Sequence, residues 1–219
     1  MLTNHTLDFL SELSKNNHKE WFELNRNRYE QSQTNIKLFI KNWIEHFGRK
    51  EETIAHLEPQ KCIFRIHRDV RFSADKTPYK TNLGAYLSKG GKNTNFAGYY
   101  LHIQPNACFF GAGNYMPTPE QLAKIRQEID YNYSDFLKII TAKRFKETFG
   151  NLVEENKLKR APKGYEDDNK AIEYLKLKSF IVSRKITDNE LTSADFIKTI
   201  TEYSTTVKPF IDFLNHALE

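Results

Sequence analysis

Apolar positions along the first fifty residues recur at helical spacing. Leu7, Leu10 and Leu13 fall three apart with Phe9 beside them, which predicts a short helix over Thr6 to Ser14, broken by Asn16-Asn17. A second helix is predicted from about Lys19 to Phe47. Trp21, Phe22 and Tyr29 begin its apolar set, and Ile36, Phe39, Ile40, Trp43, Ile44 and Phe47 continue it at a 3.6-residue period. Gly48 supplies a stop. Glu51 to Gln60 reads as a connector carrying Pro59 near its end.

The period then changes to two. Cys62, Phe64 and Ile66 alternate with Ile63, Arg65 and His67, which predicts a strand with a polar second face. Leu83 to Leu87, Phe96 to Gln104 and Ala107 to Gly111 are three more strands, joined by the turns Lys89-Gly90-Gly91-Lys92-Asn93 and Pro105-Asn106. Strands linked this closely pair antiparallel. Thr118, Pro119 and Gln121 spell a capped helix start, followed by Leu122, Ile125 and Ile129 on one face. Tyr133 to Thr141, Arg144 to Phe149 and Lys170 to Leu177 are further helices, and Phe180 to Ile186 is one more strand. The tail, Ser193 to Leu218, is a helix bent at Pro209.

There is no internal repeat, low-complexity run or long linker. Residues 1–219 therefore read as one domain of the α+β class: an antiparallel or mixed sheet of about four to five strands packed with N-terminal, central and C-terminal helices. Sixteen Phe and eleven Tyr exclude a disordered chain. No apolar run reaches the roughly 20 residues that span a bilayer, and the first residues carry no secretory pattern, so no membrane partner and a cytoplasmic location are expected. Cys62 and Cys108 lie far apart in strand-like runs and read as buried reduced thiols. With no Cys pair or H-x-x-x-H spacing, no metal site is expected, and no cofactor is indicated.

Net charge is +5, and its distribution is uneven. The segment Arg65 to Lys80 carries Arg65, Arg68, Arg71, Lys76 and Lys80 against Asp69 and Asp75, a net +3 in one short stretch. Guanidinium groups are planar forks matched to phosphate and carboxylate, so a chain leaving a strand and turning would bring these residues together as an anion clamp. Tyr79 would add a hydroxyl, His67 a proton carrier, and Asp69 and Asp75 an orienting or basic function. The alternative is structural: each aspartate neutralises a neighbouring arginine and ties the loop down. Gly111 and Gly113, between a strand and a capped helix, would offer backbone N–H groups to the same anion.

The pattern Arg65-x-x-Arg68-Asp69-x-Arg71-Phe72-x-x-x-Asp75-Lys76-x-x-Tyr79 resembles the signature of a bacterial domain-of-unknown-function family. Asn17-x-x-x-Trp21-Phe22, Gly111-x-Gly113 and Leu158-Lys159-x-x-Pro162-x-Gly164-Tyr165 extend the likeness over nearly the whole chain. It implies a bacterial protein of similar length, with relatives embedded in larger fungal proteins, and supplies no reaction. Three functions remain open: a protein or enzyme holding a small phosphorylated or carboxylated ligand on the Arg65–Lys80 loop; a nucleic-acid-binding module using that loop with Phe72, Tyr79 and a sheet tyrosine, Tyr99 or Tyr100; and a scaffold in which the loop is structural and the C-terminal helix recruits a partner.

Overall fold

Strand residues alternate between a dry face and a half-buried one, and this alternation sets the architecture. In the computed structural model, which describes residues 1–219, β1 (Leu83–Ser88), β2 (Gly98–Ile103), β3 (Cys108–Asn114) and β4 (Phe180–Ile186) form one antiparallel sheet in the order β1-β2-β3-β4. Leu83, Ala85 and Leu87 stand opposite Ile103, Leu101 and Tyr99, all buried. Phe110, Ala112, Phe180 and Val182 continue this inner face.

Ten helices complete the α+β fold: α1 (Asn4–Lys15), α2 (Lys19–Leu24), α3 (Arg26–Phe47), α4 (Pro59–Cys62), α5 (Pro119–Tyr131), α6 (Tyr133–Thr141), α7 (Lys143–Phe149), α8 (Ile172–Leu175), α9 (Asp188–Thr192) and α10 (Phe196–Leu218). Helices α3 and α10 cover the inner face. Trp43 meets Phe110 edge-on at 6.1 Å, Phe47 meets Tyr99 at 4.9 Å, and Phe39 stacks on Phe196 at 5.5 Å. The Trp43 indole N–H donates to Ser204 Oγ at 3.1 Å inside this layer. One cluster of 48 buried residues runs from Leu2 to Leu214, so all elements share a single core. Along the α10 stripe Phe196, Ile200, Val207, Phe210, Ile211 and Leu214 are buried in it, with Ile197 and Tyr203 half-buried beside them.

Three local expectations change. Residues Cys62 to His67 form no regular strand. Pro59, placed in the first turn, starts the single-turn α4 and draws Cys62 into it. Beyond Cys62, the chain's backbone meets the sheet through a bridge of Ile63 to Ala85 and a bond from Phe64 N–H to Gly84 O at 2.9 Å. The long N-terminal helix is split at Asn25, which closes α2 and opens α3; its backbone N–H keeps the helical bond to Trp21 O at 3.0 Å, and its side-chain amide adds a second donor to that carbonyl at 2.9 Å. The glycines do not end the sheet: Gly111 and Gly113 lie within β3, paired with β2 and β4 on either side. Their backbone groups face neighbouring strands rather than a helix N-terminus, and the free amides of α5 are served by the Thr118–Gln121 capping box.

Candidate anion site at the foot of the charged excursion

Residues 66 to 80 leave the sheet edge and return. The base is zipped by Lys80 N–H to Ile66 O at 2.8 Å, Arg68 N–H to Pro78 O at 2.9 Å, and a bridge between His67 and Tyr79. Ile66 is fully buried and pins the outgoing chain. Tyr79 pins the returning one: its ring stacks on Phe22 at 4.0 Å with 14° between planes. Tyr79 is 4% exposed, so it serves as an anchor in the core. His67 lies edge-on to Tyr79 and Phe22 beside that stack.

Within the excursion the charges neutralise one another. Arg68 reaches the Asp75 carboxylate, the Thr77 hydroxyl and, at 3.2 Å, Thr77 O. The Asp75 carboxyl is pulled down to about 2, first by the Thr77 backbone N–H, then by Arg68 and the Thr77 hydroxyl. Arg71 forks onto Asp69 at 2.9 and 2.7 Å and holds that carboxyl below its usual range. Lys76 donates to Val70 O at 3.0 Å. Phe72, at the tip, is 96% exposed, with the Arg71 guanidinium 5.9 Å from its ring centre.

Arg65 and Lys80, at the foot, differ. Neither has a carboxylate within ion-pair distance, and neither does Lys92 from the β1–β2 turn. Lys80 and Lys92 lie 5.7 and 5.6 Å from the centre of the Phe64 ring. The Lys80 ammonium is pushed below its ordinary value, first by burial and then by Arg65 and Lys92. Arg65 and Lys92 also line an open groove of about 400 Å³ together with Lys37 of α3. Gln33, Thr34 and Gln60 supply its polar wall, Ile63 and Phe64 its apolar floor, and no acidic side chain lines it. The buried Nε2 of Gln33 has no hydrogen-bond partner.

The residues picked out from sequence thus separate into an internally braced set (Arg68, Asp69, Arg71, Asp75, Lys76), a core anchor (Tyr79) with exposed His67 edge-on beside it, a sheet pair (Gly111, Gly113) and an unpaired set (Arg65, Lys80). Sequence reasoning missed Lys37, Gln33 and Lys92. Lys92 sits in a Lys-Gly-Gly-Lys turn whose only local meaning is a turn, and Lys37 lies on the polar side of a helix. Cys62 and Cys108 are free and buried, each thiol pushed up to about 11 by burial. No three His, Cys, Asp or Glu side chains converge, and no helix is long and apolar enough to cross a membrane.

Fold and site together define an α+β protein with an acid-free cationic groove beside an internally braced loop. The model of a family described as a conserved hypothetical protein, DUF2461, matches residues 5–213, and the chain belongs to that family. No curated protein and no solved structure matches the chain.

Proposed function

We propose that this protein binds a small phosphorylated or carboxylated ligand at the foot of the Arg65–Lys80 segment. A contrast between neighbours carries the reading. Arg68 and Arg71 each have an aspartate, whereas Arg65, Lys80 and Lys92 have no carboxylate at ion-pair distance: Lys80 and Lys92 lie over the Phe64 ring, Lys92 donates only to Ile63 O, and Arg65 is close enough to lower the Lys80 ammonium. Like charges held together without a counter-ion raise the local potential, and an arriving anion relieves it. The braced excursion then acts as a clamp, since Arg68 and Asp75 fix the loop whose foot presents Arg65 and Lys80.

The test is a thermal-shift series with inorganic phosphate, pyrophosphate, sugar phosphates and dicarboxylates. A ligand present at a hundred times its Kd adds about 2.7 kcal/mol of stability. Arg65→Ala, on an exposed side chain, should abolish the shift while melting, without ligand, where the wild type does. Absence of a shift with every phosphate and carboxylate would overturn the proposal.

A further inference from the structure

The outer face of the sheet carries a contiguous row of four rings beside the groove. Phe64 meets Tyr100 at 6.1 Å, Tyr100 meets Phe109 at 5.7 Å, and Phe109 stacks on its cross-strand partner His102 at 4.7 Å with 17° between planes. Glycines let tyrosines lie down on this face. A Cβ on Gly84 would stand 2.7 Å from Tyr100 Oη, and one on Gly98 would stand 2.9 Å from Tyr86 Cζ. All four rings of the row are half-buried. The polar edge of the row is neutral. With Gln104 Oε1 accepting from His102 Nε2 at 3.0 Å, Nδ1 accepts from the Tyr100 hydroxyl at 2.9 Å, and burial holds the imidazole below its ordinary value.

Cations bracket the row. Lys80 and Lys92 flank Phe64 at one end, and exposed Lys185 stands opposite Phe109 on β4 at the other. No outward position on the four strands is Asp or Glu. We propose that this face binds single-stranded nucleic acid, bases on Tyr100 and Phe109 and phosphates at the two cationic ends. The phosphate end near Arg65 rests on the anion reading given above.

The chemistry selects this occupant. A contiguous row of partly exposed rings with flanking cations suits unpaired bases joined by phosphates. A duplex hides its base faces and would use only the cations. Sites for single small molecules enclose most of their ligand. Neither principal cavity is lined by Tyr100, His102 or Phe109, so affinity here must be summed over successive bases.

The experiment is fluorescence anisotropy of a short labelled oligo(dT) with the full chain, at low and raised salt, competed by the matching duplex and by adenosine monophosphate. Binding should weaken with salt, and Phe109→Ala should weaken it about tenfold, the size of one lost base stack. Lys185→Glu, on an exposed side chain, provides a second variant that does not touch packing. Wild-type affinity in both variants would overturn the proposal, as would equal competition by the duplex or by the mononucleotide. No strand binding in a protein that still answers to phosphate overturns the platform and spares the groove; no response to either overturns both.

Discussion

The Asn17 carboxamide exchanges two hydrogen bonds with the backbone of Tyr79: its Nδ2 donates to Tyr79 O at 2.9 Å, and its Oδ1 accepts from Tyr79 N–H at 3.1 Å. One side chain thus stands in for a strand neighbour, 62 residues away in sequence. With the Phe22–Tyr79 stack, it ties the helical N-terminus to the returning limb of the charged excursion. Asn17→Ala leaves both backbone groups without their partner, so a loss of about 1–3 kcal/mol is expected in urea unfolding. Limited proteolysis should then cut within 69–77, and a variant as stable and as resistant as wild type would contradict the anchoring role.

Arg68 and Arg65 should separate structure from binding. Arg68 holds Asp75, Thr77 and, at 3.5 Å, Ser73, so Arg68→Ala should lower the melting temperature and expose the excursion to protease. Arg65→Ala should change neither and remove only the anion response. Equal melting of the two variants would show that the division between braced and unpaired arginines has no consequence.

Acid should loosen the excursion in a defined window. The Asp75 carboxyl sits at about 2 when folded against an ordinary 3.8. Its contribution is complete above 3.8 and is lost as the pH falls from there through about 2, because the unfolded chain then binds the proton more readily. Carboxyl NMR titration checks this directly; an Asp75 titrating near 3.8 in the folded protein would refute it.

The inter-helix bond from Trp43 to Ser204 is fully buried. Ser204→Ala leaves the indole N–H without its acceptor in a dry layer, and about 1–3 kcal/mol of stability should be lost. Denaturant melts followed by circular dichroism measure it, and no change would mean that the bond contributes nothing net.

The two β3 glycines should respond oppositely to alanine. Gly113 has φ of +130°, and a Cβ there would lie 2.0 Å from Phe180 O, so β3 and β4 would have to part. A cost of about 3 kcal/mol is expected for Gly113→Ala. At Gly111 the nearest atom to an added Cβ is 3.5 Å away, so that alanine should be tolerated. Parallel thermal melts of the two variants decide it.

Much of the fold was legible locally. The Thr118–Gln121 box forms both of its expected bonds, and each strand read from alternation between Leu83 and Ile186 exists, though β3 runs on to Asn114. The misreadings have local competitors behind them. Pro59 began a helical turn that took in Cys62, where alternation predicted a strand start, and Asn25 caps one helix and opens the next with its side chain doubled onto Trp21 O. Spacing of the arginines could not say which would be paired, because pairing depends on the hairpin-like closure that sets Asp75 beside Arg68.

By itself the sequence determined the elements, the α+β class and the place where charge concentrates, since periodicity, caps and turn residues act over a few positions along the chain. Tertiary structure alone decided which cations go without a carboxylate. Lys37 and Lys92 join Arg65 only when a helix, a turn and a sheet edge pack together, and the outer ring row exists only because β-strand register sets His102 opposite Phe109. Such adjacency is a property of packing between distant segments, and no local pattern encodes it.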